Sequence, residues 1–265
     1  MKPAESEYIL DTQEESERLE KQTLLPGYQV QDEFAGFPYP QSGRVLDAGC
    51  GTGIVARHLS EQAASVAIEA CDFSAMRLGD ARRLCRNTAH KRIRFFESTL
   101  DKIEASDESY DAVTCRYVFE HLSQPKAVAS EFSRILKKNG FVWIVDFDGL
   151  IFNLFPMSFP LSQMMDRLKQ SLPVDLFVGR KIPALLKEAG FREIRWKVES
   201  VVPSGAALEG ERVLMKERFE ASFPVLSRLL GSDKAAKEFS LRYCDEMMRP
   251  ATVLFCNKFI VFGRK

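Results

Sequence analysis

From Arg44 onward, short apolar runs alternate with segments of helical spacing, and turn residues separate them. Val45-Leu46 leads into Asp47-Ala48-Gly49-Cys50-Gly51-Thr52-Gly53, which reads as a buried strand running into a glycine-rich turn. Ile54, Val55, Leu59 and Ala63 then fall at helical spacing as far as Ala64. Ser65 to Cys71 reads as a second strand ending at Asp72, with Ser74 as the N-cap of a helix through about Arg86. Ile93 to Phe96 and Tyr110 to Cys115 are the third and fourth strands. Ser123 and Pro125 open a helix with Val128, Phe132, Ile135 and Leu136 on one face, and Asn139-Gly140 closes it. Phe141 to Val145 is a fifth strand.

Strands alternating with helices predict a doubly wound α/β fold with a mostly parallel sheet and right-handed crossovers. After Phe147 the alternation breaks into loop and helix rich in Phe, Met and Pro over residues 149–178. A helix over Gly179–Ala189, a sixth strand over Glu193–Val201, two helices within 208–249 and a final strand over Thr252–Phe262 complete the chain. Ahead of the core, residues 5–25 suggest an exposed helix with i,i+4 charge pairs, its apolar side carrying Ile9, Leu10, Leu19, Leu24 and Leu25. Residues 28–43 read as a linker with docked aromatics at Phe34, Phe37 and Tyr39. The expected organisation is a cap segment over 1–43 and one domain over 44–265, with helical insertions at about 149–178 and 204–250 acting as a lid.

Composition narrows the function. Of 265 residues, 45% are apolar and 28% charged, enough for a sizeable core. Lys plus Arg and Asp plus Glu stand at 37 each, which argues against a protein whose main task is gripping a polyanion. The one basic run, Arg77 to Arg94, reads better as a solvated helix face and loop than as an RNA patch, so nucleic acid is not an expected partner. Six cysteines at 50, 71, 85, 115, 244 and 256 form no CxxC pair, so no zinc or iron–sulfur site is expected. The start of the chain has no apolar signal region, and Asp146 and Asp148 interrupt the longest apolar stretch, so the expectation is a cytoplasmic protein without a membrane span.

The chemistry gathers at the glycine turn. Three glycines allow backbone to approach a ligand, and Asp72, 19 residues beyond Gly53, sits where a carboxylate accepts from both ribose hydroxyls. A nicotinamide fingerprint needs a small third residue on the helix, but Ile54 fills that slot. Asp47, two residues before the first glycine, would repel a pyrophosphate and suits an ammonium. S-adenosylmethionine has an ammonium and no phosphate, so charge favours it over NAD.

VLDAGCGTG (45–53) resembles the signature of class I S-adenosylmethionine-dependent methyltransferases. CDFS (71–74), RFFESTLDKI (94–103), SYDAVTCRYVFEHL (109–122) and SEFSRILKKNGFVWIVDFD (130–148) follow in the family's order, and the ESERLEKQ opening is similar to N-terminal cap helices of some members. The resemblance implies a seven-stranded sheet with an antiparallel last strand. It also implies S-adenosylmethionine as methyl donor and S-adenosylhomocysteine as product. By position it places Asp47, Gly49, Gly51 and Gly53 around the methionine portion, Asp72 on the ribose and Phe73 against adenine. Ser98, Thr99 and Leu100 stand where the family has Gly-Asp-Ala; Thr99 offers an uncharged oxygen to the adenine amino group and a weaker bond. Cys115 and Arg116 supply backbone near the methionine amino group, while the Arg116 side chain, Tyr117 and His121 lie by the transferred methyl.

The expected reaction is methyl transfer to a small-molecule oxygen or nitrogen bound under the lid. His121 is the first candidate base, with Asp148 and Tyr117 (and Asp146) behind it. Of Asp146 and Asp148, only one parity of the strand faces the cleft. A carboxylate acceptor would need no base, and Arg116 could orient it. Phe152, Phe155, Phe159, Met157, Met164 and Met165 suggest an apolar substrate pocket. The alternatives are a protein or tRNA methyltransferase, and a non-catalytic S-adenosylmethionine-binding scaffold.

Overall fold

The computed structural model describes residues 12–36, 38, 40, 42–86 and 91–265. The N-terminal segment forms α1 (Gln13–Gln22) and α2 (Val30–Phe34). The core then alternates: β1 (Gly43–Ala48), α3 (Ile54–Gln62), β2 (Val66–Asp72), α4 (Ala75–Leu84), β3 (Arg94–Glu97), β4 (Tyr110–Arg116), α5 (Pro125–Ile135) and β5 (Leu136–Asp148). After a short β6 (Leu154–Phe155) come α6 (Phe159–Ser171), α7 (Ile182–Glu188) and β7 (Arg192–Val201). Helices α8 (Ala206–Ala221), α9 (Phe223–Leu230) and α10 (Asp233–Glu246) precede β8 (Val253–Leu254) and β9 (Cys256–Arg264).

Seven strands make one sheet in the order β3-β2-β1-β4-β5-β9-β7, parallel except for β9, which runs antiparallel to both neighbours. Period-two side-chain alternation sorts the strand residues onto two faces. Val45, Ile68, Trp143 and Ile260 pack under α2, α3 and α4. Leu46, Val113, Ile144 and Val261 pack under α5 and α7. A third cluster, without large-sheet strands at its centre, joins α6, α8, α9 and α10 around Phe219, Phe239 and Tyr243, and reaches Phe147 at the C-terminal end of β5. Among the described residues no helix is long and apolar enough to cross a membrane.

Local rules account for the element ends. Ser74 caps α4 by accepting from the Arg77 N–H, and Pro125 occupies the first turn of α5. Three helices replace the two expected over 208–249, because Phe223-Pro224 starts a new helix and Gly231, at φ +91°, ends it. The linker contains α2, whose Phe34 is buried beside Trp143 and His58; Phe37 and Tyr39, like Ile9 and Leu10, lie outside the described residues. His58 is therefore half-buried rather than solvent-facing, and burial pushes its imidazole down.

Candidate active site

Strand order reverses at β1, which has β2 on one side and β4 on the other, so the loops after these strands open a crevice at their C-terminal ends. The glycine turn follows β1, and its three glycines have positive φ angles of 72°, 52° and 81°. They do different work. A Cβ on Gly49 would come within 2.6 Å of the Val118 side chain, and one on Gly53 would meet Phe95 at 3.3 Å. Only Gly51 faces open space. The close approach expected for all three is thus packing at two of them, and room for a ligand at one.

Asp72, at the tip of β2, is buried beside the turn. Its carboxylate accepts from the Gly51 N–H at 2.8 Å and from the Ser74 N–H at 3.0 Å. Asp47 lies beneath the turn, accepting from the Ala56 N–H at 3.0 Å and the Thr114 hydroxyl at 3.3 Å. Desolvation raises its carboxyl to about 7 despite these bonds. Phe73 is 45% exposed at the rim, Thr99 is exposed, and Ser98 and Leu100 are buried, with the Ser98 hydroxyl bonded to the Thr99 carbonyl. Cys115 is buried in β4, where burial pushes its thiol well up. All six cysteines are free and buried.

After β4 the backbone bends sharply. Tyr117 adopts φ +58°, a conformation that costs a non-glycine residue on the order of 1 kcal/mol and recurs at functional sites. Three contacts hold it. Its N–H donates to the Val145 carbonyl, its ring stacks on Phe147 at 4.1 Å, and its hydroxyl donates to Glu33 at 2.6 Å. Glu33, fully buried on α2, also takes Arg116 at 2.6 Å and Lys258 at 2.9 Å. Burial alone would raise the Glu33 carboxyl, but these two cations hold it below the usual carboxylate range. Arg116 gives a further bond to the Tyr28 carbonyl, so its guanidinium is committed inward and does not orient an acceptor.

Helix α1 covers this region. Glu20 accepts from the Thr52 hydroxyl at 2.6 Å and pairs with Arg57 at 2.7 Å, tying the helix to the glycine turn. Ser16 meets Arg77 of α4, and Lys21 pairs with Glu217 of α8 at 2.6 Å. The helix is therefore docked rather than exposed, and its described internal ion pair, Glu15–Arg18, is spaced i,i+3. Between α1, the β4 turn and α8 lies a cavity of about 30 Å³, room for two or three waters. Glu15, Arg18, Tyr117, Glu120, His121 and Arg218 line it, with Phe147.

Of the candidate bases, Tyr117 and His121 reach this cavity and Asp148 does not line it. Asp148 is buried against Arg180, whose Nε donates at 2.7 Å. Asp146 braces the β4 turn, accepting from Val118, Phe119 and Phe147 N–H groups. The expected Phe–Met substrate pocket is corrected: Met165 is core, Met157, Met164 and Phe152 pack against it, and Phe155 and Phe159 are 75% exposed. Apart from buried Arg77, the described basic residues of the run are exposed, with surface contacts from Arg83 to Asp80, Arg94 to Glu69, and Arg82 and Arg92 to backbone carbonyls. Glu20, Glu33 and Arg218 escaped sequence reading, since each acts on partners distant in the chain.

A family model described as "Methyltransferase domain" matches residues 27–195. The ubiquinone biosynthesis O-methyltransferase of Vibrio atlanticus is 34% identical over 101 residues, which are 38% of this chain and 41% of that protein. The match thus spans about two-fifths of the relative's length. Phosphoethanolamine N-methyltransferase 2 of Haemonchus contortus, solved with S-adenosyl-L-methionine, superposes with a TM-score of 0.62 at 20% identity, covering 99% of this chain and 60% of that one. The [4+2]-cyclase SpnF superposes with a TM-score of 0.56 at 19% identity, covering 89% and 80%. At such identities the likeness is one of fold, and the cyclase shows that the fold hosts more than one reaction.

Proposed function

Because the chain belongs to the class I S-adenosylmethionine-dependent methyltransferases, we propose that it methylates an oxygen or nitrogen of a small molecule held in the cavity between α1, the β4 turn and α8. The observation that carries this reading is the open space over Gly51 together with the Asp72 carboxylate bonded to the N–H of that same glycine. An uncharged turn packed by side chains would hold no nucleoside; this one offers backbone access and a charged acceptor side by side.

The residues fit the donor as follows. Asp72 binds the ribose, Asp47 faces the ammonium, Gly49, Gly51 and Gly53 shape the turn, and the Cys115–Arg116 backbone borders the methionine portion. Phe73 flanks adenine, with Ser98, Thr99 and Leu100 at its edge. When bound, S-adenosylmethionine supplies a methyl group activated by a sulfonium. The chain itself positions the acceptor: fixing it in line is worth roughly 7–11 kcal/mol. Tyr117 and His121 border the acceptor site, and His121 takes the proton if a hydroxyl or ammonium is methylated. Helices α6 and α8–α10 form the lid, and α1 closes it, excluding water. The name of the Vibrio relative favours oxygen as the acceptor atom. The zero net charge of the chain favours a small molecule over the nucleic-acid alternative, for which the exposed Arg82, Arg83 and Arg94 would be the surface.

Isothermal titration with S-adenosylhomocysteine tests the donor site. Asp72→Ala should lose about 2 kcal/mol of binding or more, because the bonds removed go to a charged acceptor. Equal affinity in wild type and variant would refute the assignment.

A further inference from the structure

Two groups facing the cavity have unused hydrogen-bonding capacity, and they carry opposite charges. Glu120 is 3% exposed; its Oε1 lies 3.3 Å from His121 Nε2, while its Oε2 is buried without a partner. Although burial would raise its carboxyl, His121 and Arg218 hold it below the usual range. A buried, ionised oxygen without a donor is costly to leave unmet. Arg218, in the last turn of α8, also lines the cavity, yet among the described residues no hydrogen bond or ion pair reaches its guanidinium. On the same wall Glu15 and Arg18 share two bonds, at 2.6 and 2.7 Å, and the Arg18 charge adds to the field at Glu120.

We infer that the acceptor is a small molecule bearing a carboxylate, which Arg218 binds, and a hydroxyl or ammonium that donates to Glu120. This deepens the methyltransferase reading and rests on it. Arg218 and Glu120 face one cavity without forming an ion pair, so a ligand with both an acceptor and a donor satisfies each, whereas a purely cationic or purely anionic ligand leaves one unmet. The stacked Tyr117–Phe147 pair gives the same space an aromatic wall, which suits a flat apolar body between the two polar groups. Because α1 supplies Glu15 and Arg18 to the opposite wall, a ligand larger than a few waters enters with α1 displaced.

Four probes separate the two contacts: 4-hydroxyphenylacetate, its amide, phenylacetate and phenylacetamide, titrated with and without saturating S-adenosylhomocysteine into wild type, Arg218→Gln and Glu120→Gln. The hydroxy-carboxylate should bind tightest. Arg218→Gln should weaken both carboxylates about tenfold or more and leave the amides unchanged, and Glu120→Gln should weaken only the two hydroxyl probes by a similar factor. A thermal shift with S-adenosylhomocysteine in each variant reports that it is folded. If S-adenosylhomocysteine binds but no probe does, or if each substitution weakens all four probes alike, the subsite is overturned and the methyltransferase reading stands. If S-adenosylhomocysteine itself fails to bind wild type, that reading falls, and the probe titrations without it still decide the subsite by the same pattern.

Discussion

A carboxylate with no solvent contact has to choose its charge by what touches it. Asp47 is 1% exposed, and burial lifts its carboxyl to about 7 even with two hydrogen bonds favouring the ion. The folded chain therefore holds a proton that the unfolded chain has released between about pH 4 and pH 7. Its contribution to stability is fully present below that window, is lost as pH rises through it, and changes no further above pH 7. An ammonium beside Asp47 reverses the preference and drives the proton off. At pH 6, binding of S-adenosylhomocysteine should release up to about one proton, falling toward none by pH 9. Calorimetry in two buffers of different ionisation enthalpy reads this directly. Asp47→Asn should abolish the release; the same release in that variant would mean that the proton comes from elsewhere. Sequence reading assigned Asp47 by position and charge sign, but its perturbed acidity was not legible, because it depends on the depth at which β1 is covered.

At the level of elements, α1 shows where helical periodicity stops being informative. Its charged residues have the pattern of a solvated helix, and nothing local distinguishes Glu20 from its exposed neighbour Glu17. The distinction comes from Thr52 and Arg57, 32 and 37 residues away, which receive its carboxylate. By contrast, the helix starts are legible because Ser74 and Pro125 act within one turn of themselves. Phe223-Pro224 is the same kind of local signal, starting a third helix where periodicity predicts two. If Glu20 fastens α1 to the glycine turn, Glu20→Ala should speed amide exchange across residues 13–22 and weaken S-adenosylhomocysteine several-fold. Global stability should fall by only about 1 kcal/mol, as the pair is partly exposed. Hydrogen-exchange mass spectrometry with and without the ligand checks all three, and unchanged exchange in α1 would remove its role as a closing element.

Across the whole molecule, alternation predicts the mostly parallel sheet and the family resemblance implies its seven strands with the last antiparallel, while the strand order comes from the structure. What joins its distant parts comes from the structure as well. Glu33 collects Arg116 and Tyr117 from the end of β4 and Lys258 from β9, a bond spanning 225 residues of sequence. Lys258 is 1% exposed and Glu33 fully buried, so the network exists only when the N-terminal segment, the central sheet and the last strand have all come together. Removing the shared anion strands two cations in the interior, with Glu199, 3.4 Å from Lys258, and the charge of Asp47 on Arg116 as partial compensation. Breaking such a buried network typically costs 3–5 kcal/mol, so Glu33→Ala should lower the melting temperature by on the order of 10 °C. It should also release Tyr117 from its left-handed conformation, reducing methyl transfer more than S-adenosylhomocysteine binding. Adding Lys258→Met to Glu33→Ala removes one of the stranded charges and should recover part of the stability while leaving Tyr117 unheld, so activity stays low. Thermal denaturation and turnover measured on the same pair of variants separate the two roles. Recovery of both together would mean that Glu33 acts only through charge balance, with no part in positioning Tyr117.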